Sequence, residues 1–146
     1  MNETPARRAP GPQAIQPQMC MASLDFGRSG VPLAGIVLCS ALLKTAEPGQ
    51  SPKIAAPVLA LHGSRDVVSP LAVVQDLTSE IDLAGNDLRV VVYGRTHHAF
   101  YNPSVGTDPS ARLAYSRESD RAMSEEIARF LERLSNAPAD RMRRTA

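Results

Sequence analysis

Three histidines occur in this chain of 146 residues, and two of them are adjacent. His97 and His98 lie in "YGRTHHAFYNP" (93–103), directly after the β-branched run "LRVVVYG". An imidazole just past the carboxyl end of a strand is well placed for acid–base work, because such loops gather over one edge of a parallel sheet. A second loop has the same character. "HGSRDVVSP" puts Asp66 just past the apolar run "PVLALHG". An aspartate followed along the chain by a histidine is the order of the last two members of a nucleophile–acid–histidine triad. The carboxylate accepts from one ring nitrogen and sets the tautomer. The other nitrogen then takes a proton from the nucleophile.

Each residue also has a plainer role. Asp66 by itself would serve to cap the turn before Ser69, and only its pairing with a histidine gives it chemistry. His62, in the strand end "LHG", is expected to be a hydrogen-bonded histidine supporting the acid loop. His97 is expected to be a partly exposed loop residue. Adjacent histidines point in different directions and no third ligand is evident, so a metal centre is not expected. Cys20 and Cys39 have no metal or redox spacing. Cys39 and Ser40 read as core or strand-end residues. No cofactor is called for.

The elements that must position these residues follow from hydrophobic patterning. Residues 1–18 are rich in Pro, Ala, Gln and Arg without a periodic apolar face, and read as a disordered leader. "MCMASLDFGRSG" predicts a short helix closed by Gly30. "LAGIVLCSALL" is continuously apolar, as in a strand covered on both faces. After a polar connector comes the strand "PVLALHG". A helix is expected over "SPLAVVQDLTSEIDLAG", with Ser69 as N-cap, Pro70 in the first turn and Gly85 at the end. "LRVVVYG" reads as a third buried strand. The last helix is expected from about Ala114 to Leu134, burying Met123, Ile127, Phe130, Leu131 and Leu134. A polar tail covers 136–146. Strands alternating with helices predict an α/β fold with a parallel sheet and helices on both faces.

Composition narrows the function classes. The formal net charge is +1, so no single-sign field argues for nucleic acid or an anionic membrane. The leader lacks the apolar stretch of a signal peptide, and no apolar run is long enough to span a bilayer. Two cysteines without a pattern fit a reducing, cytoplasmic setting.

These segments resemble a known family. "PVLALHGSRDVVSP" is similar to the acid-loop stretch of α/β-hydrolases. "VVVYGRTHHAFYNP" resembles the histidine loop of the dienelactone hydrolase family, where a His-Ala-Phe triplet carries the catalytic histidine. "SLDFGRSGVPLAGIVLCSALL" and "YSRESDRAMSEEIARFLERL" are similar to that family's helix and strand after the nucleophile and to its closing helix. The resemblance runs from about Ser23 to Leu134. It implies a partial α/β-hydrolase fold of about three parallel strands over residues 19–135, with Asp66 as triad acid and His98 as triad base. It further implies hydrolysis of a carboxylic ester or lactone through an acyl-enzyme, with a small-molecule substrate.

The nucleophile is where the sequence departs from the family. A triad nucleophile sits on a tight strand–turn–helix elbow, flanked by small residues as in G-x-S-x-G or G-x-C-x-G. No such pentapeptide occurs. By the family's spacing the nucleophile falls near Pro17, which cannot attack a carbonyl. Cys20 lies about three residues later between Met19 and Met21, whose bulk would block the elbow. The expectation is therefore the C-terminal half of the fold behind an unrelated leader. Such a chain would be inactive alone or dependent on a partner. An uncovered edge on the strand "GIVLCSA" would then promote self-association or pairing with the missing half.

Overall fold

The computed structural model describes residues 24–41 and 54–136. The leader, Pro17, Cys20, the connector over 42–53 and the tail beyond Asn136 lie outside the described residues. In chain order the elements are a helical turn α1 (residues 24–28), strand β1 (Ile36–Cys39), strand β2 (Val58–Gly63), helix α2 (Leu71–Ala84), strand β3 (Leu88–Tyr93), a 3-10 turn at Pro103–Val105, and helix α3 (Arg117–Asn136).

The three strands form one parallel sheet in the order β1-β2-β3. β2 is central and every one of its residues is buried. Side chains alternate between two cores. On one face Ile36, Leu38, Val58 and Ala60 pack with Leu24 of α1 and with Val74, Leu77 and Ile81 of α2. On the other, Cys39, Leu59 and Leu61 pack with Phe100 and with Met123 and Phe130 of α3. Period-two alternation with both faces covered explains why β1 and the first four residues of β2 read as apolar runs.

β3 departs from the expectation of a buried strand. Its residues are exposed or half-buried, and Val92 is 44 % exposed. β3 ends the described sheet on one side, as β1 does on the other, so edge position alone does not set its exposure. Its Arg89 pairs with Glu126 of α3 at 3.0 Å.

Helix ends also differ from the sequence reading. Gly30 and Gly85 both have the left-handed backbone expected of helix C-terminal residues, with φ of 78° and 68°. Ser69, however, does not cap α2. Pro70 holds that position and no side chain bonds the first free amides. α3 starts three residues later than expected, after Ser116, whose Oγ accepts from Ser119 N at 3.3 Å. Its buried stripe runs through Met123 and Phe130 with Ile127 and Leu134 alongside, while Leu131 is 53 % exposed. Leu131 lies about 80° round the helix from Met123 at 100° per residue, off the centre of the stripe.

One long-range ion pair was not visible in the sequence. The Arg28 guanidinium grips both carboxylate oxygens of Glu80, with Nε to Oε1 at 2.9 Å and Nη2 to Oε2 at 2.7 Å. It joins α1 to α2 across the mouth of their shared core. The pair is bidentate, the strongest form of this contact. No helix among the described residues is long and apolar enough to cross a membrane.

Candidate active site

The acid loop leaves β2 at Gly63 and the histidine loop leaves β3 at Tyr93, so parallel pairing brings them side by side. Gly63 and Tyr93 are register partners. Backbone hydrogen bonds then stitch the loops together. Ser64 N donates to Tyr93 O at 2.9 Å, Arg65 N to Thr96 O at 2.8 Å, and Arg95 N to Ser64 Oγ at 2.8 Å. The approach is so close that a Cβ on Gly63 would collide with the carbonyl oxygen of Thr96 and sit 2.8 Å from that of His97. Glycine is required there by proximity, and the sequence shows it only as a strand stop.

Asp66 and His98 meet at the centre of this junction. His98 Nδ1 lies 2.8 Å from Asp66 Oδ2, and both residues are buried. The other carboxylate oxygen accepts two amides of its own turn, Val68 N at 3.0 Å and Ser69 N at 2.7 Å. The plain and the chemical roles of Asp66 thus coexist, one on each oxygen. Three charge-assisted bonds leave the carboxylate little freedom to rotate.

His98 is aimed by its neighbours. Ala99 has φ of +56°, a left-handed backbone that costs a non-glycine residue about 1–2 kcal/mol. The chain therefore turns sharply after His98 and drives Phe100 into the core under β2, where it is fully buried. Phe100 lies against Tyr93 and, edge-on, against Tyr101, with ring centroids at 5.3 Å and 5.8 Å. Downstream, Ala114 N donates to His98 O and Ser116 N to Phe100 O. Thr96 Oγ1 and Ser119 Oγ are 2.8 Å apart, which ties the loop to α3. The His-Ala-Phe triplet works as a unit: the aromatic anchors, the alanine turns, and the histidine is presented.

His62 takes the supporting position expected of it. It is buried, and its Nε2 lies 2.8 Å from Ser69 O. A carbonyl only accepts, so Nε2 carries the proton and the ring is neutral unless Nδ1 is also protonated. Asp66 Oδ2 is 3.9 Å from the same nitrogen, beyond hydrogen-bonding range. Burial lowers the His62 pKa below 6.5, against the opposing pull of the Asp66 carboxylate and the Ser69 bond. The unfolded chain protonates this histidine as pH falls through 6.5, while the folded chain resists. Its contribution to stability is therefore complete above that pH, and is lost as pH falls below it until the depressed folded pKa is reached. Thermal melts between about pH 7.5 and 5.5 should show a smaller loss of Tm in His62→Gln than in the unaltered chain. Equal slopes would show that His62 is not the group responsible.

His97 is half-buried, and among the described residues no side-chain hydrogen bond joins it to His62, Asp66 or His98. Cys39 is buried in the core beneath Phe100, as expected of a strand-end residue. Among the described residues no serine or cysteine side chain is hydrogen-bonded to His98, and no cluster of three His, Cys, Asp or Glu side chains is arranged to hold a metal ion. His98 opens onto a cleft of about 510 Å³ lined by Val68, Ala99, Tyr101, Val105, Leu113 and the polar pair Asn102 and Arg112. With Nδ1 taken by Asp66, Nε2 is the nitrogen left for proton transfer.

Comparison with known proteins bears on this arrangement. The dienelactone hydrolase family matches residues 41–135, which include both loops and α3. This chain belongs to the dienelactone hydrolase family. Among solved structures it is similar to one named m3DLH, at 24 % identity and a TM-score of 0.69, over 76 % of this chain and 46 % of the other. It is also similar to a dienelactone hydrolase-like promiscuous phosphotriesterase, P91, from metagenomic libraries, at 24 % identity and a TM-score of 0.64 over the same shares. A third likeness is esterase PE8, at 20 % identity and a TM-score of 0.55, over 77 % of this chain and 46 % of the other. These likenesses establish the α/β-hydrolase type of fold. The chain spans less than half the length of each of these three structures. No curated protein matches the sequence. As a dienelactone hydrolase family member, the chain has its sheet order, its two covered faces and its adjoining loops accounted for by one ancestry.

Proposed function

We propose that residues 19–135 form the C-terminal half of a carboxylic ester or lactone hydrolase domain, with His98 as general base and Asp66 as the residue that orients it. The observation that carries this is the buried 2.8 Å bond from His98 Nδ1 to Asp66 Oδ2 beside a cleft. Asp66 holds the proton on Nδ1 and stabilises the imidazolium that forms when Nε2 takes up a second proton. A nucleophile deprotonated by Nε2 would attack the ester carbonyl and form an acyl-enzyme. The imidazolium would return its proton to the leaving alkoxide. Water, activated by the same nitrogen, would then release the acid. Oxyanion stabilisation would come from amides beside the nucleophile.

A second reading is favoured by the position of β1 and by the lack of a serine or cysteine hydrogen-bonded to His98 among the described residues. β1 lies at an edge of the described sheet, next to which a strand leading to a nucleophile elbow would pair. In that reading the chain is inactive alone, and the site is completed when a strand–turn–helix segment docks along β1.

One assay separates the readings. Hydrolysis of p-nitrophenyl acetate is measured for the chain alone and after mixing with a polypeptide carrying a G-x-C-x-G elbow, each with a His98→Ala counterpart. We expect turnover only after mixing, abolished by His98→Ala. Turnover by the chain alone that depends on His98 would place a nucleophile within it, with Cys20 the first to test. Turnover indifferent to His98 in every mixture would refute the proposed role.

A further inference from the structure

The bonds that hold Asp66 lead back to β1 through a residue the sequence assigned elsewhere. Ser69 has the residue type expected of a helix N-cap, yet Pro70 holds that position and the Ser69 hydroxyl, instead of capping α2, donates to Ala41 O at 2.7 Å. Ser69 is 1 % exposed and all three of its polar groups are engaged: Oγ to Ala41, N to Asp66 Oδ1 at 2.7 Å, and O to His62 Nε2 at 2.8 Å. It touches the end of β1, the acid and the supporting histidine at once.

The partner segment is itself held under constraint. Ser40 has φ of +43°, an unusual backbone for serine, and its buried hydroxyl has no hydrogen-bond partner among the described residues. Such a conformation persists only where surrounding contacts enforce it. Two contacts do so here: Ser40 N donates to Leu61 O at 2.9 Å, and Ala41 O receives Ser69. A forgone helix cap, a strained turn and an unpartnered hydroxyl all converge on one hydrogen bond. Local preference yields at a site where geometry is needed for another purpose.

We propose that Ser69 is a positioning residue for the Asp66–His98 pair. Its hydroxyl, clamped to the carbonyl of Ala41, fixes the amide that holds Asp66 Oδ1, and so fixes Oδ2 against His98 Nδ1. The inference rests on reading that pair as the reactive one, and adds that the end of β1 governs its alignment. A strand docked along β1 would then be registered to the histidine through this same bond.

The test needs no substrate. The exchange with water of the His98 Nδ1 proton, followed by NMR as a downfield resonance, is compared in the unaltered chain, Ser69→Ala and Ser69→Thr at temperatures well below each melt. The expected result is exchange about tenfold faster in Ser69→Ala, with Ser69→Thr restoring the slow rate because it keeps the donor. A Ser69→Ala chain with a lowered Tm but unchanged Nδ1 exchange would overturn the role of Ser69 alone. Lack of a protected Nδ1 proton in the unaltered chain would overturn the pair, and the role of Ser69 with it. Should Ser69→Ala fail to fold, amide exchange in the unaltered chain decides. A Ser69 amide about tenfold slower than that of Val68, which shares the same carboxylate oxygen, supports the clamp; equal rates refute it.

Discussion

Asp66→Asn should lower kcat by about 10⁴-fold in an assembly that hydrolyses an ester, while leaving the chain folded. The two effects separate because the two carboxylate oxygens do different things. An asparagine oxygen in place of Oδ1 can still accept from Val68 N and Ser69 N. Its NH₂ group would then face His98 Nδ1, where Oδ2 now lies. Only a ring nitrogen that accepts fits there, so the imidazole proton moves to Nε2. A protonated Nε2 cannot take a proton from a nucleophile. Loss of charge on the amide bonds should cost about 1–2 kcal/mol. Asp66→Ala is different. It strands two amides and a ring nitrogen in a buried site and should cost about 3–5 kcal/mol, a large part of a single domain's stability. Urea unfolding of both variants, with hydrolysis measured in parallel, checks the pair. An asparagine variant as unstable as the alanine variant would show that the His98 contact, rather than the amide pair, holds the turn.

Gly63→Ala should damage both fold and site through a single methyl group. The added carbon meets backbone oxygens of Thr96 and His97, which cannot swing aside as a flexible side chain would. The loops must separate, and the bonds between them lengthen: Arg65 N to Thr96 O, Ser64 N to Tyr93 O and His98 Nδ1 to Asp66 Oδ2. Overpacking of this kind costs about 1–3 kcal/mol, and the strained hydrogen bonds add to it. We expect a destabilisation of about 3 kcal/mol and, in an active assembly, hydrolysis reduced at least about a hundredfold by misalignment of the histidine. Gly94→Ala is the matched control. It lies in the same pair of loops but has nothing within contact of a new Cβ. Equal losses in the two variants would assign the effect to backbone flexibility instead of collision.

The order of elements and the closeness of the Asp66 loop to the histidine loop were legible in the residues themselves, and the resemblance to the family's His-Ala-Phe motif singled out His98 as the partner of Asp66. "VLAL" and "IVLC" carry unbroken apolar character because both faces of their strands are covered, and that requirement leaves its mark in one dimension. His-Ala-Phe was legible through its resemblance to the family's histidine loop, and the structure shows the three residues acting together, with Phe100 buried as an anchor and Ala99 turning the chain. The exposure of β3 was not legible, since "LRVVVY" has the composition of a buried strand and how far the helices cover its faces is decided only in the fold. Leu131 falls under the same rule, its side chain being apolar but off the packed stripe.

What tertiary structure alone decided is the wiring between distant segments. Arg28 and Glu80 are 52 residues apart, Ser69 and Ala41 are 28 apart, and neither pair has a local signature. Ser69 was expected to cap α2 because local preference is all a sequence window contains. The fold instead offered its hydroxyl a carbonyl at the end of β1. Gly63 marks a strand end in sequence and a backbone collision in space. Sequence determines which side chains could accept, donate or bury themselves. Which donor meets which acceptor is settled only when strands from separate stretches of chain lie in register.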